Sequence, residues 1–140
     1  MLSRGPHLGS AALLGLGGGL RSFAPPVALA LQDRGPLSGP ARFIALGAGL
    51  GELIGDKQPG MPSRLSPRGL GLRLGFSSAG GHELAGRPGA AVAAAAALGA
   101  AVAGSRLRTL VGGGRSGLAA AFAEDALSYA LALAGTRARS

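Results

Sequence analysis

The chain contains no cysteine and no tryptophan, and it has one tyrosine and four phenylalanines in 140 residues. Without cysteine there are no disulfides and no thiolate metal sites. Without a supply of aromatic rings there is no stacking platform for single-stranded nucleic acid. Acidic residues are scarce as well, six against fourteen basic ones, which leaves a net charge of +8. The basic residues are scattered and lie largely between apolar runs. A nucleic-acid binder gathers them on one face or along one helix, so no nucleic-acid partner is expected.

Histidine is nearly absent too. There are two, His7 and His82. His82-Glu83 begins like the zinc motif HExxH, but Gly86 stands where the second histidine belongs, so no metal site is expected. The glycine runs match neither a dinucleotide fingerprint nor a phosphate loop, and no serine sits in a GxSxG elbow. The expectation is a non-enzyme with no cofactor.

What the chain does have is small apolar residues. It is 47% hydrophobic with 27 glycines, and most of the apolar content is Ala, Leu and Gly. Such residues bury little area each, so a water-facing protein built from them has a weak core at roughly 25 cal/mol per Å². In a bilayer the balance changes, because helices there associate by close backbone packing and small residues favour it.

Five apolar segments follow one another, at about 8–31, 43–54, 69–85, 88–105 and 116–134, within one domain covering 1–140 and flanked by disordered tails at 1–6 and 136–140. A spanning helix needs about 20 apolar residues. The fourth and fifth segments meet that length. The first meets it if the break at Pro25-Pro26 is tolerated. The second needs Ala41 and Arg42 at one end. The third is weakened by Arg73, His82 and Glu83. The fourth, AAVAAAAALGAAVAG, is apolar all round, which calls for full burial or lipid. The fold expected is all-α: an integral membrane bundle of four or five short Gly/Ala-rich helices, the first broken at Pro25-Pro26. Its location would be the inner or plasma membrane, multi-pass, with the lipid bilayer as its partner. Small residues four apart, as at Gly15/Gly19, Gly47/Gly51/Gly55, Gly71/Gly75 and Ala95/Gly99/Ala103, suit close helix packing, within one chain or in a homo-oligomer.

The charges inside these segments are the candidate site. Arg21 and Ser22 precede the proline break. Glu52 and Asp56 share a helical face near the end of the second segment, beside Lys57. Glu124 and Asp125 sit near the middle of the fifth. A charge at the bilayer centre costs about 2.5–3.5 kcal/mol or more, so these groups should meet a partner, water or a proton. Three arrangements are open: a structural tie from Arg21 to Glu124 or Asp125, a cation site in a wet cavity, or a proton-linked transport site. Broken helices are a recurring device of transporter sites. The Glu52–Lys57 stretch is expected where a membrane helix meets the headgroups.

The elements GLGGGLRSFAPPVALAL, GAGLGELIGDKQPGMPSR and AFAEDALSYALAL together resemble a bacterial membrane family called domain of unknown function 4126. The resemblance covers nearly the whole chain. It rests on Gly19, Leu20, Arg21, Ser22 and Phe23, on Glu52, Asp56, Lys57 and Pro59, and on Glu124 and Asp125. The chain departs from the pattern most at 70–87, where it is unusually polar. The resemblance implies a small Gly/Ala-rich multi-helix membrane protein and carries no activity. Two functions are therefore expected in parallel. One is an oligomeric transporter or channel-like protein, its ion or solute unspecified, with a buried Arg/Glu/Asp site. The other is a structural or accessory membrane protein whose charges tie helices together.

Overall fold

The computed structural model describes residues 5–32, 37–55, 65–112 and 114–137. Among them there are five helices and no strands: α1 (Gly5–Leu20), α2 (Ala24–Leu31), α3 (Ala41–Gly55), α4 (Pro67–Val111) and α5 (Gly114–Arg137). The all-α expectation holds. α1 begins at Gly5 and α5 runs on to Arg137, so the tails expected at 1–6 and 136–140 are each two residues too long within the described part. Thr136 is fully buried, and its hydroxyl donates to the Leu133 carbonyl at 2.9 Å.

The local signals account for the boundaries. Ser66 caps α4, its hydroxyl accepting from the Gly69 amide at 3.2 Å, and Pro67 opens the helix where its missing N–H costs nothing. α4 is two arms, 67–84 and 87–111, because Ala85 and Gly86 leave helical geometry (Gly86 φ 66°, ψ −154°). Only glycine adopts the latter conformation readily. The break falls between the third and fourth apolar segments. The arms then fold back on each other, Gly81 against the Gly89 backbone, so closely that a side chain at either would strike it.

α1 is the centre of the molecule. Gly15 and Gly19 rest on the backbone of Ala93 and Ala97 in the second arm of α4. Gly17 rests on Ser128 of α5, and Gly18 on Ser77 in the first arm. The order of these contacts gives the topology. α1 runs parallel to the second arm of α4 and antiparallel to the first arm and to α5, where Gly135 meets Ser10 and Asp125 meets Arg21. Leu14, Ala24, Ala28, Leu84 and Ala132 form the apolar core at one end. The fourth segment, apolar all round, leaves full burial and lipid both open. In the structure α1 is the surrounded helix, and the second arm of α4 alternates buried Ala93, Ala97, Ala100 and Ala101 with an exposed outer face.

The first apolar segment is split at Arg21–Phe23, just ahead of the prolines rather than at them. Pro25 and Pro26 fall in the first turn of α2, which needs no amide donors from them. α2 turns back beside α1. Gly80 lies against both Leu14 and Pro25, which a straight helix would hold about 16 Å apart. α3 packs on α2 and leaves Phe43, Ile44, Leu50 and Ile54 exposed.

Two helices, α4 and α5, are long and apolar enough to cross a membrane. Only 28% and 17% of their apolar windows are buried inside the protein, whereas the core helix of a soluble bundle would be mostly covered. Leu110 is 84% exposed, and Leu107, Leu118, Phe122 and Leu127 are exposed with it.

Candidate functional site

The turn between α1 and α2 collects the charges. It frees donors and acceptors together, since α1 ends with open carbonyls and α2 begins with open amides. Each set has a specific partner from another helix. The Glu52 carboxylate of α3 accepts from the Ser22 amide through Oε1 at 2.9 Å and from the Phe23 amide through Oε2 at 3.0 Å. An anion at a helix N-terminus is favoured both by these donors and by the helix dipole. The headgroup position expected for Glu52 is therefore replaced by an inward one.

On the other side, Arg73 Nη1 in α4 donates to the Gly19 carbonyl at 2.7 Å. Ser128 Oγ in α5 donates to the Gly17 carbonyl at 2.9 Å, sharing it with the Arg21 amide. Cationic and hydroxyl donors thus face the carbonyl end of α1, where the dipole favours them.

Arg21 sits at the turn and is fully buried. Its guanidinium forms an ion pair with Asp125 of α5, itself buried. Phe23 anchors the turn against Phe76, ring centres 4.9 Å apart and tilted by 45°, a favourable aromatic geometry. The Tyr129 hydroxyl stands beside Gly49, in the field of Glu52, Arg21 and Asp125.

Glu124 does something separate. It accepts from Arg108 Nε at 2.9 Å, tying α5 to α4. Neighbouring helix positions point about 100° apart, so the two adjacent acids serve two different arginines. Of the residues expected at the site, Arg21, Ser22, Glu52 and Asp125 come together at the turn, and Glu124 lies off it. Asp56 and Lys57 lie outside the described residues.

Arg73, Arg108, Ser128 and Tyr129 join the polar set without having been singled out. Arg73 had a signal, a lone cation in an apolar segment, but that signal reads first as a weak span. Ser77 is fully buried and packed against Gly18, and its hydroxyl has no hydrogen-bond partner among the described residues. Among the described residues no three His, Asp or Glu side chains stand close enough to hold a metal.

The depth of the cluster is informative. Gly19 lies beside Ala97 and Ala100, midway along the second arm of α4, and Asp125 lies midway along α5. The Arg21–Asp125 pair therefore sits at the middle height of the two longest apolar elements. Neither a family model, nor a curated protein, nor a solved structure matches the chain.

Proposed function

We propose that the chain is a non-enzymatic, multi-pass integral membrane protein whose buried charges are helix–helix ties, a structural or accessory component. The observation that carries this is the internal matching of the charges at mid-height. Arg21 meets Asp125, Glu52 meets the opening amides of α2, and Arg73 meets the closing carbonyls of α1. Two cations and two anions compensate one another, and Glu52, Arg73 and Asp125 tie α3, α4 and α5 to the α1–α2 turn. Exposed aliphatic faces on α3, α4 and α5 support the bilayer as the surrounding medium. The resemblance to the domain of unknown function 4126 family belongs to the same proposal.

A second reading has its own observation. A helix interrupted at mid-height among charges is the arrangement that transporters use to hold ions or solutes, and the turn at Arg21–Phe23 has that form. Such a protein of this size would act as an oligomer. Two measurements separate these cases. Extraction of a tagged full-length protein by detergent but not by carbonate is expected, and recovery in the soluble fraction would remove both membrane readings. Glu52→Gln is then expected to lower the unfolding temperature in detergent, by a loss of about 1.5–3 kcal/mol for its charged hydrogen bonds. An unchanged unfolding temperature would sink the tie and favour the transport site.

A further inference from the structure

α1 ends at mid-height, and α4 and α5 continue past it. The space below its end is a groove of about 580 Å³ between these two helices, floored by Leu16 and Leu20 of α1. Its α4 wall runs from Ala100 to Val111 and its α5 wall from Ala120 to Leu131. Except for the neutralised Arg108–Glu124 pair, the lining is aliphatic. α4 and α5 barely touch each other, so the groove is open along its side.

Two dimensions say what fits. From Ala100 to Val111 the wall is about 16 Å long, half of a hydrocarbon core of about 30 Å. That is the depth of one leaflet and the reach of one acyl chain. The charge at its mouth has one sign. Arg106 near the end of α4 and Arg115 in the first turn of α5 are both exposed beside the α4–α5 connection, and no acid occurs between Glu83 and Glu124. Interfacial arginines attract anionic headgroups.

We propose that this groove is a binding site for an anionic phospholipid. One acyl chain lies between α4 and α5 with its end against Leu16 and Leu20, and the headgroup phosphate faces Arg106 and Arg115. The inference rests on the membrane reading above. It explains how a bundle whose central helix stops halfway can be packed in the other half: hydrocarbon takes the place a longer α1 would fill.

The absence of native tryptophan makes the test direct. Leu127→Trp places a single fluorophore in the groove. Leu98→Trp places one on the exposed outer face of α4, outside the groove. Each full-length variant is reconstituted in phosphatidylcholine vesicles containing an equal small fraction of brominated phosphatidylglycerol or brominated phosphatidylcholine. The expected result is stronger quenching of the groove tryptophan by the anionic lipid, a local enrichment of about 30-fold for two interfacial arginines at about 1 kcal/mol each. Arg106→Ser with Arg115→Ser should abolish that preference, and Leu98→Trp should follow bulk composition throughout. If the groove tryptophan also follows bulk composition, the lipid is only solvent and the proposal fails. If neither brominated lipid quenches it while both quench Leu98→Trp, protein covers the groove, a second copy or another chain, and the proposal again fails. If neither position is quenched, the chain is not in the bilayer and the membrane reading itself falls. Should Leu127→Trp not fold, Leu107→Trp on the facing wall makes the same measurement.

Discussion

Asp125 shows how much one side chain can be asked to hold. It compensates a guanidinium that has no exposed surface, and removing one member of such a pair leaves the other charge buried. Asp125→Asn is expected to destabilise by about 3–5 kcal/mol, read as a lowered unfolding temperature in detergent, with Arg21→Met combined with Asp125→Leu recovering most of the loss. A double variant that loses the sum of the two single-variant losses would mean that the two residues act independently. A tie from Arg21 to one of the two adjacent acids was one of three arrangements readable from the sequence, since a charge inside an apolar run needs a partner, water or a proton. Which acid it takes was not, because the choice depends on how α5 is rotated about its axis. That rotation is set by Gly17, Ser128 and Gly135, residues with no charge signal at all.

At the level of the helix, the apolar segments were legible because their interruptions are chemical. Ala41–Gly55 forms as one element including Ala41 and Arg42, and the two arms of α4 part at the residues that separate two apolar runs. Gly86 is the hinge of that parting. Gly86→Ala is expected to cost about 1–3 kcal/mol for a side chain in a glycine-only conformation, although open space surrounds the position. Circular dichroism with thermal unfolding measures it, and an unperturbed melting temperature would show that the reversal needs no glycine. Small-residue spacing carried less information than it promised. Gly15 and Gly19 are in tight contact, whereas Gly47, Gly51, Gly55, Gly71, Gly75 and Gly99 face nothing within 4 Å among the described residues. The two kinds of spacing are identical in sequence, and only the tertiary arrangement tells them apart.

For the molecule as a whole, the all-α class was readable and the identity of the central helix was not. The run AAVAAAAALGAAVAG is the most apolar, yet a helix of alanine can face lipid as easily as protein. GLGGGL is less hydrophobic, but it alone lets four neighbours approach at once, and that makes α1 the hub. The hub is also the first helix in the chain, and its partners come last. Arg21 waits 104 residues for Asp125, and Gly17 waits 111 for Ser128. Under the proposed membrane reading, biosynthesis presents the insertion machinery with a glycine-rich, arginine-bearing segment long before α5 can complement it. A nascent chain without α5 should be held as a client or handed to proteolysis. A product stopped after Val111 is expected to have a several-fold shorter half-life in pulse-chase than the full chain, and equal persistence would show that the early helices mature unaided. α5 is in that sense a checkpoint, the piece whose arrival completes the pairing of the α1–α2 turn.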